Sequence, residues 1–340
     1  MALTLGVLDQ SPIREGGTAA EAIAETLQLA RAAERLGYRR YWLAEHHNSR
    51  GLASSAPEVL ITRVAAETST IRVGSGGVML SHYAPLKVAE TFRTLEALYP
   101  GRVDLGMGRA PGTDGRTAQA LTHGPGALGI EHYPAQVADV LRFVADEMPE
   151  GHEFSGIHAS PLGSTMPQPW LLGSSLESAS MAAELGLPLS FAHFINEAWA
   201  GEAITLYRRI FRPSRWLEAP SVNLGVSVIC AEIDERAEEL AMSRWLWRLR
   251  NRQGSRQGVP SVADALAEEL SEPEREYVRE QQRTSLVGGP ERVRDRLSAL
   301  AAELDVDEFM VVTITYDFAD RVRSYELLAE AFELEPPPQL

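Results

Sequence analysis

The chain has a single cysteine among 340 residues, Cys230, so no internal disulfide can form. Its apolar setting, VSVICAE, suits a buried thiol better than a nucleophile. Long apolar runs are missing too, and none is sufficient to cross a bilayer. The amino-terminal MALTLGVLDQ lacks the basic start and the cleavage site of a secretion signal, so the expected location is the cytoplasm. Cations are in deficit, 32 Lys and Arg against 47 Asp and Glu for a net charge of −15. That balance opposes attraction to nucleic acid or to an anionic membrane. The local run Arg244, Arg248, Arg250, Arg252 and Arg256 is flanked by carboxylates from Glu232 to Glu239 and from Glu268 to Glu276, and reads as a solvated helix face. A nucleotide-type glycine turn after the first strand is absent as well, since that turn reads Asp9-Gln10-Ser11-Pro12.

Hydrophobic residues make up 44% of the chain, enough for a sizeable core. Short β-rich runs alternate with longer amphipathic ones from end to end, the pattern of parallel strands joined by helical crossovers. Strands are predicted near residues 3–9, 39–44, 71–79, 103–107, 169–172, 187–191, 222–230 and 308–313. Helices are predicted near 18–36, 57–68, 85–98, 134–147, 176–185, 197–211, 233–250, 290–304 and 318–332. Gly37 and Gly186 stand where a left-handed helix terminus is wanted, and Pro57, Pro85, Pro134 and Pro290 where a missing N–H costs nothing. Eight such units predict one α/β domain over residues 1–340, a (β/α)8 TIM barrel, in preference to an open doubly wound sheet. Two insertions exceed a minimal barrel. One, 111–166 after the fourth strand, is rich in glycine (Gly112, Gly115, Gly124, Gly126, Gly129). The other, 252–284 after the seventh, is charged and partly helical. Extra segments of this kind are more often lids or binding loops than structural necessities.

Barrel enzymes carry their chemistry after the strands, so the residues at those eight positions are the informative ones. They are Asp9, Glu45-His46-His47-Asn48, Gly76-Gly77 running to His82, Gly108-Arg109, Gly173-Ser174-Ser175, His193 and the stretch 313–316. A histidine there can exchange a proton near neutral pH. Successive strand residues point opposite ways, so of His46 and His47 one is catalytic or substrate-facing and the other structural. A metal held by His46, His82, His193 and Asp9 ranks below proton chemistry, because no single element carries a ligand spacing. Gly74, Gly76 and Gly77 weaken an otherwise β-branched strand. They fit either a bulge or the close approach of a flat ring to bare backbone. Arg109 is either a surface salt-bridge partner or, with the serine turn at the start of the next helix, part of a phosphate site.

The motifs YWLAEHHN, RVGSGGVML, PGRVDLGMGRAPGTD and SLVGGPERVRDRL, in this order along nearly the whole chain, resemble the bacterial luciferase-like flavin monooxygenase family. The similarity is greatest to its single-chain members opening with a VLDQSP-type segment. The resemblance implies an enzyme taking reduced FMN (FMNH2) from a separate NAD(P)H-dependent flavin reductase, activating O2 as a flavin hydroperoxide, and oxygenating a small organic substrate. It assigns His46 as the catalytic histidine, Gly76 and Gly77 as a non-prolyl cis pair against the flavin, and Arg109, Ser175 and Ser178 as phosphate contacts. Asp9, Glu45, His47 and Ser174 are supports, though Ser174 stands where luciferases have an acidic residue. Gly108 replaces their reactive cysteine. No metal is implied. The segment 252–284 corresponds to a mobile lid, and a homodimer through the helices beside the second and third strands is expected. Trp42, Met79, Met107 and Phe191 are either a substrate pocket or core. Two other functions fit the same barrel, deazaflavin-dependent hydride transfer and flavin binding without turnover.

Overall fold

The computed structural model describes residues 3–122 and 129–336. Gly124 and Gly126 of the first insertion therefore lie outside the described residues. The strands are β1 (Thr4–Asp9), β2 (Arg40–Leu43), β3 (Arg72–Ser75), β4 (Val78–Met79), β5 (Val103–Gly108), β6 (Gln168–Gly173), β7 (Leu189–Ala192), β8 (Val222–Cys230), β9 (Leu286–Gly288) and β10 (Glu308–Val312). Their order, β10-β1-β2-β3-β5-β6-β7-β8-β9 with β10 also beside β8, is that of the (β/α)8 TIM barrel. The predicted third strand is divided into β3 and β4 by a cis peptide between Gly76 and Gly77. The short β9 continues the sheet beside β8 and had no counterpart in the predicted strands.

The chain divides into two compact units. One comprises Met1–Tyr41, Ser49–Ser55 and Gly225–Leu340. Within it β1 pairs parallel with β10, Leu5 opposite Phe309 and Val7 opposite Val311, and all four side chains are fully buried. Burial of such branched and aromatic surface stabilises by about 1.5–3 kcal/mol per side chain. The helix Ala19–Arg35 starts with a capping box between Thr18 and Glu21 and ends before Gly37 at φ +85. Asp9 lies under this unit's strand end, fully buried. It receives hydrogen bonds from the Arg321 guanidinium (2.5 Å), the Tyr41 hydroxyl (2.5 Å) and the Ser11 N–H (2.7 Å). Burial alone would raise its pKa, but Arg321 and the other donors outweigh it and hold the carboxyl below its ordinary value. The segment after β8 forms the helix Asp234–Arg252 and then the shorter helices Val262–Ala267 and Glu272–Thr284. These pack through Val278, Tyr277 and Val262 on Trp245, Leu240 and Ala241.

The other unit comprises Trp42–Asn48 and Ala56–Leu224. Here β5 pairs with β6, Met107 opposite Leu171, and β6 with β7, Leu171 opposite Leu189. Asp104 of β5 is fully buried and receives the Trp42 indole N–H (2.9 Å) and the Arg72 guanidinium (2.6 and 2.9 Å). The strands approach so closely that a Cβ on Gly106 would stand 2.1 Å from the Ser75 carbonyl oxygen. Glycine at 106 is thus a packing requirement. Helices Pro57–Ala66, Pro85–Leu98 and Tyr133–Ala145 each begin with proline in the first turn, as their sequences predict.

Candidate active site

The turn after β2 is built around a carboxylate. Glu45 is fully buried. Its Oε1 accepts from the Tyr83 hydroxyl (2.7 Å) and pairs with His47 Nε2 (2.7 Å), while Oε2 accepts from the Met79 N–H (2.9 Å). Three partners offset the cost of placing a carboxylate in the interior. They also join the end of β2 to the segment that follows the Gly76–Gly77 peptide. The loop after β5 closes over the same cluster. The Gly112 carbonyl accepts from the His47 N–H (3.3 Å), and the Pro111 carbonyl meets His82 Nε2 (2.8 Å). Gly112 adopts φ +61, and a Cβ there would lie 2.8 Å from the Glu45 carbonyl oxygen, so glycine is needed on both counts. Asn48, at φ +53, turns the chain and donates to Thr117 Oγ1 (2.7 Å).

His46 is held differently from His47. Its ring is only partly exposed, and its Nδ1 is sealed from solvent without a hydrogen-bond partner. Burial first, and the adjacent His47 second, lower its pKa to about 4. The imidazole is therefore neutral at pH 7, able to donate from one nitrogen and accept at the other, but not a cation.

Behind this turn the strand carries the paired glycines. The Gly76 N–H donates to the Leu43 carbonyl (2.7 Å). A Cβ at Gly77 would stand 2.7 Å from the Gly106 carbonyl oxygen and 3.1 Å from Leu172. The bare backbone at Gly77 is thus required by its neighbours in the sheet, whatever else approaches it.

A second polar cluster opens where β6 enters the helix Leu176–Glu184. Ser175 caps this helix, and Ser178 Oγ donates back to the Ser175 carbonyl (2.8 Å). Gly173 permits the turn, since a Cβ there would lie 2.0 Å from Ser178 Oγ. Asn196 donates to the Ser174 carbonyl (3.0 Å) and fixes the loop from the next strand end. A cavity of about 440 Å³ lies in front, lined by Arg109, Tyr133, Leu172, Ser178 and Met181, with Glu131, Glu177 and Glu184 at its wall. Arg109 is exposed and makes no hydrogen bond or ion pair among the described residues, and its charge acts on the neighbouring Glu177. The Tyr133 hydroxyl is sealed without a partner, and burial raises its pKa against the opposing influence of Arg109. Ser175 stands at the helix cap rather than in the cavity lining.

The remaining predicted residues have other surroundings. Asp9 is committed to Arg321 and Tyr41 in the other unit. Trp42, Met107 and Phe191 are fully buried core rather than an open wall, and only Met79 of that set stays partly accessible. Cys230 is buried, and burial pushes its thiol up to about 12, which suits a packed side chain. Among the described residues no group of three His, Cys, Asp or Glu side chains converges as metal ligands. None of the helices searched there is long and apolar enough to cross a membrane. Sequence reasoning missed Tyr83, Tyr133 and Asn196. Tyr83 could have been found from its place between a strand end and Pro85, whereas the IEHYPA segment around Tyr133 carries no spacing signal.

A family model described as luciferase-like monooxygenase matches residues 3–308. A luciferase-like monooxygenase of Escherichia coli (strain K12) is 41% identical over 333 residues, 97% of this chain and 97% of that one. The N-acetyl-S-alkylcysteine monooxygenase of Bacillus subtilis (strain 168) is 37% identical over 334 residues, 97% and 98% of the two chains. Among solved structures, apo-MsnO8 aligns with a TM-score of 0.88 at 40% identity, covering 98% of this chain and 100% of that one. Two distant barrels share the fold alone. The oxygenating constituent of 3,6-diketocamphane monooxygenase of Pseudomonas putida, in complex with FMN, is 19% identical with a TM-score of 0.71 over 97% of each chain. An F420-dependent secondary alcohol dehydrogenase is 14% identical with a TM-score of 0.65, covering 98% of this chain and 99% of that one.

Proposed function

Since the chain belongs to the luciferase-like monooxygenase family, we propose that it is an FMNH2-dependent monooxygenase acting on a small organic substrate. The observation that carries this reading is the cavity whose lining brings Arg109, which makes no ion pair among the described residues, together with Ser178 and the orphaned Tyr133 hydroxyl at a helix start, the charge of Glu177 lying beside it. A cation, hydroxyls and a helix N-terminus together suit a phosphate monoester such as the tail of FMN. Arg109, Ser178 and Tyr133 would hold that group, with Ser175 fixing the turn behind it and Gly76 and Gly77 leaving backbone free beside the ring. Reduced FMN, when bound, supplies the electrons with which O2 is activated for transfer of one oxygen atom. Relatives at 37–41% identity are named monooxygenases, while the F420-dependent neighbour is 14% identical, and this favours FMN over a deazaflavin.

His46 supplies the proton chemistry in this reading. As a neutral imidazole it can hold or hand over one proton at a ring nitrogen without bringing a charge into the site. Glu45 positions the turn through His47, Tyr83 and the Met79 N–H, so that rotation of the β2 turn would break three hydrogen bonds together. Asp9 and Ser174 act only through the loops they anchor. A separate NAD(P)H-dependent reductase would deliver the reduced flavin, the segment 252–284 would cover it, and the cytoplasm would be the setting. A homodimer would form through helices Pro57–Ala66 and Pro85–Leu98. A groove of about 710 Å³ runs there, with Val59 (64% exposed) and Leu98 (58%) unburied.

Oxygen uptake with photoreduced FMN tests the reading. The wild type should bind FMN and consume O2 in a substrate-dependent manner, and His46→Ala should retain binding while losing turnover at least a hundredfold. Equal turnover by His46→Ala would remove the assigned role. Tight deazaflavin binding without FMN binding would replace the cofactor.

A further inference from the structure

The arginines of the helix Asp234–Arg252 are not the uniform solvated face that their composition suggests. Arg250 pairs with Glu15 and Glu268, and on the facing helix Arg275, Arg279 and Arg283 each pair with a glutamate. Arg244, Arg248 and Arg252 follow one another at four-residue spacing and so share a face. None of the three has an ion-pair partner among the described residues. Arg244 is 5% exposed, and its Nε is sealed from solvent with no hydrogen bond. Arg248 donates one hydrogen bond, to Gln281 Oε1 at 3.3 Å, and Arg252 stacks 5.2 Å from the Tyr277 ring. The Tyr277 hydroxyl is itself sealed without a partner. Burial first, and then the neighbouring Arg248, disfavour the charge on Arg244, which Tyr277 favours, with no carboxylate among these influences. A buried arginine is ordinarily paired, and among the described residues no carboxylate pairs with this one.

We propose that Arg244, Arg248 and Tyr277 form an anion-binding site distinct from the Arg109 cavity, taking the oxyanion group of a small molecule, a carboxylate or a phosphate. The planar guanidinium fork of Arg244 matches two oxygens of such a group, and the Tyr277 hydroxyl supplies a further donor. Arg248 adds charge one helical turn away. Binding relieves the repulsion between the two arginines and satisfies both orphaned donors at once.

Binding of inorganic phosphate and of acetate to the full chain, followed by calorimetry or by protection against thermal unfolding, tests the site. The wild type should bind one or both saturably. Arg244→Met, which keeps much of the volume and removes the charge, should weaken that binding about tenfold or more. Tyr277→Phe, which deletes only a hydroxyl, should weaken it about threefold while leaving the fold intact. Arg109→Ala should retain it. Preference for acetate identifies an organic acid as the natural occupant, and preference for phosphate a phosphorylated one. Absence of saturable binding in the wild type overturns the site, as does unchanged binding in both Arg244→Met and Tyr277→Phe. Loss confined to Arg109→Ala would place the anion in the other cavity, with the flavin reading untouched.

Discussion

His46 offers a prediction whose size follows from its surroundings. An imidazole in the unfolded chain titrates near 6.5, whereas burial and His47 lower this ring to about 4. Between those values the unfolded chain binds a proton that the native chain refuses, so stability falls as the pH drops through this window. The contribution is complete above pH 6.5 and lost below pH 4. At pH 4.5 the difference amounts to about 2.5 kcal/mol, taking 1.36 kcal/mol per pH unit. Other groups titrate in the same range, so the quantity to measure is a difference between two proteins. Urea unfolding of the wild type and of His46→Gln at pH 7 and pH 4.5 isolates it. The wild type should lose about 2.5 kcal/mol more than the variant over that interval. Equal losses would mean that His46 titrates normally, and the neutral-imidazole role assigned to it would fail.

Glu45→Gln can keep its carbonyl oxygen on the Met79 N–H only by turning its NH2 toward Tyr83 and His47, which must then change from donors to acceptors, and the charge that strengthened all three hydrogen bonds is lost. It should lower stability by about 2–4 kcal/mol, or the melting temperature by about 3–6 °C, as a thermal scan would show. Arg109→Ala should weaken FMN at least tenfold while leaving riboflavin, which lacks the phosphate, within about twofold; equal losses for both ligands would take Arg109 away from the phosphate. Gly173→Ala should disrupt the Ser175–Ser178 cap and weaken FMN binding, since its methyl would lie 2.0 Å from Ser178 Oγ. Binding isotherms on the folded variant decide this, and unchanged affinity would count against the helix start as part of the site.

Much of the fold was legible because its signals are local. Proline at 57, 85, 134 and 290 and glycine at 37 and 186 marked helix ends that the structure reproduces within a residue or two. The division of the third strand was foreshadowed by Gly76 and Gly77, and β9 was missed because three residues carry no usable alternation. The polar residues at strand ends were legible as a set, but their partners were not. Whether His46 or His47 is bound to Glu45 depends on Tyr83 and Met79, which lie 34 to 38 positions away. Arg244 looked like its exposed neighbours, because helical spacing shows which residues share a face and not which carboxylates lie opposite.

We propose a reduced-flavin site organised around Arg109, Ser178 and Tyr133, which line one cavity. Anaerobic equilibrium titration of the purified chain with FMNH2 and with reduced deazaflavin, in wild type and in Tyr133→Phe, tests it most directly. The expected result is saturable FMNH2 binding, weakened several-fold by loss of the one hydroxyl, with deazaflavin at least tenfold weaker than FMNH2. Saturable deazaflavin binding with no FMNH2 binding, or an affinity for FMNH2 that Tyr133→Phe leaves unchanged, would contradict it.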